Sequence, residues 1–333
     1  MHEQKIIQRC RQAGLGHPSG SPESITGGLL HLLWKVRTEQ GSFAMKVLNP
    51  EIMQRPGVRA TYELSEEAAS AFAEAGIPAV TALSISGKYV QELAGSSCLI
   101  FPWIEGNTHS SQATPPDQAY QIGFLLGQMH KMNIHMPKMQ PLQIERLLEQ
   151  RWASIIDNLE TKDTIWAREV QQAYPEILEW IALFNRSVPA LTSMQVISHR
   201  DLDQKNVLWQ DAQTPWLIDW EAAGYINPTF EIVDAALNWS GVTSGVVVEQ
   251  SFRAVLEGYH VAGGKLVIDA EDALAGSSGN WLRWLYYNLR RASGRLSVSV
   301  AEQELGIGEV LKTLATLRLL VAHREDWAQW ARE

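Results

Sequence analysis

The stretch that decides the fold is Ile197-Ser198-His199-Arg200-Asp201-Leu202-Asp203-Gln204-Lys205-Asn206-Val207-Leu208-Trp209, followed by Trp216-Leu217-Ile218-Asp219-Trp220-Glu221. It contains His-x-Asp-x-x-x-x-Asn and then an apolar segment that closes on an aspartate. In that spacing the first Asp can take the proton of an attacking hydroxyl, while the Asn and the second Asp hold Mg²⁺ against nucleotide phosphates. Such a site needs more than its loop. Upstream the chain must supply a turn that approaches phosphates, a lysine to hold them and a connection that leads into the catalytic part.

Those parts occur in that order. Ile25 to Val36 reads as a strand, a turn at Gly27-Gly28 and a second strand, and Ser42 to Leu48 as a third. A glycine turn lets backbone amides approach phosphates with no Cβ between, although Gly-Gly in a hairpin is also an ordinary turn. Lys46 lies inside the apolar third strand, where an ammonium is costly without a partner. The alternative is an edge-strand lysine turned to water. A helix over Tyr62–Ala75 follows from Leu64, Ala68, Ala71, Phe72 and Ala75 at helical spacing, and Gly76-Ile77-Pro78 ends it. Its carboxylate for Lys46 is one of Glu63, Glu66 and Glu67: distance from the helix end favours Glu66, and nearness to the apolar face favours Glu67 over it. Glu66 is preferred.

Ala79–Leu83 and Lys88–Leu93 fit two further strands. Cys98 to Gly106 runs from an apolar strand into a connection marked by Pro102 and Gly106. From Pro115 the pattern turns helical, over Gln118–Met132, Leu142–Leu159, Thr164–Phe184 with a new segment at Pro175, Phe230–Trp239, Val246–Tyr259, Gly279–Ala292 and Glu302–His323. The expected division is therefore 1–105, strand-rich, and 106–333, mostly helical. A chain of 333 residues is long enough for two cores.

The net charge of −9 argues against a sequence-independent nucleic-acid binder and is compatible with a cationic ligand. The two cysteines, Cys10 and Cys98, have neither metal-ligand spacing nor a disulfide framework, which suits the reducing cytoplasm. The first residues lack the apolar core of a signal peptide, and no stretch approaches the length of a membrane-spanning helix.

Taken together, these motifs resemble the aminoglycoside phosphotransferase and choline kinase-like family, small-molecule relatives of the protein kinases. Gly27-Gly28, Lys46, the Gly76-Ile77-Pro78 stop, Phe101 to Gly106, Gly123, Leu126, His130, His199 to Asn206 and Ile218 to Gly224 carry the resemblance, which spans nearly the whole chain. It implies an α+β, bilobal protein kinase-like fold, with a small nucleotide-binding lobe and a larger helical lobe that takes the acceptor. It also implies ATP and Mg²⁺ as cofactors. Asp201 would be the base, Asn206 and Asp219 the metal ligands, and Lys46 the α/β-phosphate contact. Thr26 to Leu30, with Thr26, Gly27 and Gly28, would cover the phosphates, and the Pro102 carbonyl and Ile104 amide would meet the adenine. His199 would hold the loop in shape.

Arg200 departs from the family's drug phosphotransferases, which have a glycine there. Lys205 either reaches the γ-phosphate or is solvated, Asp203 is a second carboxylate in the loop, and Glu221 either orders the metal site or forms a local salt bridge. Trp281, Trp284 and Asn288 share a helix face that is either core or pocket wall. The expected acceptor is a small-molecule hydroxyl, first an aminoglycoside-type antibiotic. Choline, a sugar, methylthioribose or homoserine is the alternative, and a protein kinase or a non-catalytic nucleotide-binding module the weaker ones. The sequence leaves the oligomeric state open.

Overall fold

The structure, a computed structural model, describes residues 2–25, 31–110, 112–157, 159, 164–296 and 299–333. Residues 26–30, and with them Thr26, Gly27 and Gly28, lie outside the described residues. By contacts the chain forms two units, one of Met1–His109, Ile134–Gln140 and Ile197–Gly224, the other of Ser110–Asn133, Pro141–Val196 and Tyr225–Glu333. The decisive stretch, however, groups with the strand-rich unit and not with the helices around it in sequence.

In the first unit, helix α1 (His2–Gln12) precedes β1 (Glu23–Ile25), β2 (Leu32–Thr38) and β3 (Gly41–Val47), and short α2 (Pro50–Met53) precedes α3 (Val58–Glu74). Strands β4 (Gln91–Leu93) and β5 (Ser96–Pro102) complete a five-stranded antiparallel sheet in the order β1-β2-β3-β5-β4. Strand alternation sorts the side chains by face. Val36, Met45, Cys98 and Ile100 pack with Ile6 and Cys10 of α1 on one face. Leu99 and Phe101 pack with Tyr62 of α3 on the other. Lys46 pairs with Leu99 in register and so belongs to the α3 face.

Helix α3 ends as its sequence predicts. Gly76 takes a left-handed φ of 94°, its N–H donates to Ala73 O, and Ile77 N–H reaches back to Phe72 O, which closes the last turn. Residues 79–83, expected as a strand, form an extended segment instead. Three of their amides go to three different places: Val80 N–H to Leu217 O, Ala82 N–H to the Glu66 carboxylate and Leu83 N–H to Ile100 O. No single neighbouring strand is left to build a ladder with them.

Later strands are short: β6 (Val196–Ser198), the hairpin of β7 (Val207–Trp209) and β8 (Pro215–Leu217), and β9 (Gly224–Ile226). The helices are α4 (Pro116–Met132), α5 (Glu149–Asp157), α6 (Ile165–Gln172), α7 (Tyr174–Leu191), α8 (Pro228–Trp239), α9 (Glu249–Val261), α10 (Ala270–Ala292), α11 (Val300–Ala322) and α12 (Arg324–Arg332). Helix α5 begins later than the expected Leu142, because Leu142 and Leu147 donate their N–H groups to the side chains of Gln195 and Asn185 rather than to a helix turn. Among the described residues no helix is long and apolar enough to cross a membrane.

Two glycines set the contact between α4 and α9. A Cβ on Gly123 would lie 1.7 Å from Val255 O, and one on Gly258 would lie 2.0 Å from Tyr120 O, so the helices touch backbone to backbone. His130 then ties α4 to its neighbours, with Nδ1 2.9 Å from the Tyr259 hydroxyl and Nε2 2.8 Å from Glu231 Oε2. On α10 the expected common face divides: Trp284 is exposed, Asn288 is buried, and Trp281 packs against the large helical core.

Candidate active site

The loop after β6 is pinned to the segment after β8 at one residue. Ile218 donates its N–H to Asn206 O at 2.9 Å, and its carbonyl lies 2.9 Å from His199 Nε2. His199 is fully buried, with its ring 4.6 Å from that of Trp220, and Trp220 stacks on Phe72 of α3 at 5.5 Å. His199 thus serves as a strut. Because Ile218 precedes Asp219, the strut fixes Asn206 and Asp219 relative to each other.

Asp201 and Asn206 are joined directly. Asn206 Nδ2 donates to Asp201 O at 2.7 Å and to Asp201 Oδ2 at 2.9 Å. With its amide nitrogen turned to Asp201, the buried Asn206 keeps its Oδ1 as the acceptor end. Withdrawal from water raises the Asp201 carboxyl to about 6, against the opposing pull of the Lys205 ammonium. A carboxyl at that level still ionises near neutrality and holds a proton more tightly than an ordinary Asp, as a general base should.

Asp203 has a different job. It caps the short turn Gln204–Asn206 by accepting Lys205 N–H at 3.1 Å, and it receives Lys205 Nζ at 2.8 Å. Lys205 Nζ is also 3.4 Å from Asp201 Oδ2, and its side chain is 64% exposed. Lys205 therefore bridges the two loop carboxylates while remaining open to water.

Lys46 extends from β3 to the same place. Its Nζ lies 2.7 Å from Asp219 Oδ1 and 2.7 Å from Glu221 Oε2. Burial opposes the ammonium charge, but the two carboxylates outweigh it and push Lys46 up to about 12. Asp219 has a left-handed backbone with φ 62°, and Arg200 likewise with φ 68°. Such conformations cost of order 1–3 kcal/mol and gather at functional sites.

The helix carboxylate does not make the expected pair. Glu66, rather than the exposed Glu67, is the buried one, but its Oε2 accepts Ala82 N–H at 2.8 Å. Burial raises it to about 7, and the nearby Lys46 charge offsets only part of that. The residue found on Lys46 is Glu221, brought to about 2 because His31 and Lys46 overcome the cost of its burial.

The connection after β5 continues the pairing with β3 by one residue. Trp103 N–H donates to Ser42 O at 2.9 Å, so the Pro102–Phe43 pair is a non-hydrogen-bonded one. Antiparallel alternation then turns the Pro102 carbonyl away from β3. Proline costs nothing there, since its missing N–H would have met no partner in the ladder. Asn107 exchanges backbone hydrogen bonds with Trp209, and Lys35 braces the connection with Nζ 2.7 Å from Glu105 Oε1 and 4.1 Å from the Trp103 ring centre.

A model of the APH family, described as the phosphotransferase enzyme family, matches residues 22–264. The chain belongs to this family. No curated protein gives a match. Among solved structures, a spectinomycin phosphotransferase in complex with ADP and spectinomycin is 14% identical, with 96% of this chain and 97% of that one covered and a TM-score of 0.70. An aminoglycoside phosphotransferase from Alicyclobacillus acidocaldarius is 13% identical over 96% of each chain, TM-score 0.63. An ethanolamine kinase from Plasmodium vivax is 13% identical over 88% of this chain and 80% of its own, TM-score 0.54. At these identities the likeness is one of fold, the kinase-like fold of the phosphotransferase family.

The donor set of this family member suits the cation its loop implies. Asn206 Oδ1 and the Asp219 carboxylate are hard oxygen ligands of the kind Mg²⁺ takes together with phosphates and water. Among the described residues no three His, Cys, Asp or Glu side chains are arranged as a metal cage, so phosphate and water would complete the shell. Sequence reasoning missed His31, Tyr62 and Lys35. Lys35, an ammonium in an apolar strand run, carried the same signal as Lys46. His31 and Tyr62 carried none, because a polar residue at a strand entry and a tyrosine on an apolar helix face are ordinary.

Proposed function

We propose that this phosphotransferase moves the γ-phosphate of ATP to a hydroxyl of a small molecule, with aminoglycoside-type antibiotics as the first acceptor class. The observation that carries the reading is the convergence of Asp201, Asn206, Asp219 and Lys46 within one unit, through contacts of 2.7–2.9 Å. Asp201 accepts the proton of the acceptor hydroxyl. Lys46 holds the α/β-phosphates, and the Pro102 carbonyl and Ile104 N–H hold the base. Asn206 and Asp219 hold Mg²⁺, which when bound neutralises charge on the phosphates.

The acidic balance, −9 overall, supports a polycationic acceptor, as does the likeness to a spectinomycin phosphotransferase. The likeness to an ethanolamine kinase supports amino alcohols as the second class. A panel of aminoglycosides, spectinomycin, choline, ethanolamine, sugars and homoserine, incubated with enzyme, ATP and Mg²⁺, is read by mass spectrometry. At least one aminoglycoside gains a single phosphate. Phosphate on another alcohol alone would move the acceptor class, and phosphate on casein-type peptides alone would overturn the small-molecule reading.

A further inference from the structure

We infer that Glu221, not the helix carboxylate Glu66, is the positioning residue that holds Lys46 toward the phosphates. The inference rests on the nucleotide role proposed above for Lys46. Two of the three Lys46 N–H donors are engaged, one by Asp219 Oδ1 and one by Glu221 Oε2, both at 2.7 Å. Asp219 would also hold the metal, a duty that competes with the ammonium for its oxygens. A lysine anchored by Asp219 alone would then lose its orientation when it is needed, so a second carboxylate must keep it in place.

One oxygen of Glu66 is committed elsewhere. The residue is 2% exposed, and its Oε2 accepts the Ala82 N–H, a bond that anchors the extended segment after α3. Releasing it would leave a buried backbone donor without a partner. Glu221, by contrast, is held from behind. His31 Nε2 lies 3.5 Å from Glu221 Oε2 and 2.9 Å from the Tyr62 hydroxyl. Asn49 N–H donates to His31 Nδ1 at 3.0 Å, which puts the ring proton on Nε2, facing the tyrosine and the carboxylate. His31 and Lys46 therefore converge on one carboxylate, two residues beyond the metal-side aspartate, with Tyr62 bracing the histidine.

The test is a double-mutant cycle on ATP turnover with water as acceptor, so that the identity of the alcohol does not enter. Glu221→Gln lowers kcat/KM for ATP about tenfold or more, and the Lys46→Met/Glu221→Gln double variant is no worse than Lys46→Met within about threefold, since both changes remove one interaction. The Mg²⁺ concentration for half-maximal rate stays within about twofold of wild type, and Glu66→Gln loses less than Glu221→Gln. If Lys46→Met is too slow to assay, calorimetric affinities for Mg²⁺·ADP close the same cycle. Multiplied losses in the double variant with a raised Mg²⁺ requirement would make Glu221 a metal ligand and overturn the inference. A larger loss at Glu66→Gln would return the role to the helix. A wild-type enzyme that neither turns over ATP nor binds Mg²⁺·ADP would instead overturn the nucleotide reading.

Discussion

Asp201, Glu66 and Glu221 are three carboxyl groups of one unit, at about 6, about 7 and about 2 respectively. Withdrawal from water dominates the first two, and His31 with Lys46 overrides it in the third. Glu66 gives a clean consequence for stability. As pH rises, the unfolded chain releases this proton near the ordinary carboxylate value of 4.5, whereas the folded chain holds it to about 7. The folded state binds the extra proton in that window, so wild-type stability falls there and the penalty is complete above it. Glu66→Gln keeps an acceptor for Ala82 N–H and has no proton to lose. Urea unfolding at pH 5 and pH 8 should show the variant gaining on wild type by roughly 2–3 kcal/mol between the two; an unchanged gap would contradict the assigned burial. The residues whose spacing the chemistry dictates, Asp201, Asn206 and Asp219, were legible in the sequence. The partner of Lys46 was not, because that choice depends on which carboxylate the Ala82 amide claims.

At the scale of elements, glycine governs the helical unit. Gly123 and Gly258 allow α4 and α9 to meet at their backbones, and His130 fastens α4 to Glu231 and Tyr259 in the same region. Gly123→Ala pushes a methyl group into the Val255 carbonyl and should cost about 1–3 kcal/mol or more by overpacking, read as a lower urea midpoint with an unchanged slope. A midpoint equal to wild type would show that the helices separate freely. The sequence marked both Gly123 and His130 as part of the resemblance, but the reason for them is a contact between segments more than a hundred residues apart. Helices with clear periodicity and punctuation, such as α3 with its Gly76-Ile77-Pro78 stop and α7 with Pro175 in its first turn, were legible. The segment 79–83 was not, since its β-like composition says nothing of amides divided among three partners.

For the whole molecule, the break in sequence near Pro102 and the grouping of contacts tell different stories about Ile197–Gly224. Sequence order sets this stretch among helices. Its contacts with the first unit run through Pro78 and Val80 to Leu217, Asn107 to Trp209, and Phe72 to Trp220. Because of them the lysine of β3 and the aspartate after β8 are parts of one unit, and the salt bridge between them is internal to it. The order of motifs along the chain was enough to read the family, but not this grouping. The central claim is that these residues act together on ATP. It is tested most directly by Mg²⁺-dependent release or transfer of the ATP γ-phosphate in wild type, Asp201→Ala and Asp219→Ala, each checked for an unchanged melting curve. Wild type turns over ATP, and each variant loses about a hundredfold or more, with Asp219→Ala losing at least as much as Asp201→Ala. Undiminished turnover in both folded variants would contradict the account.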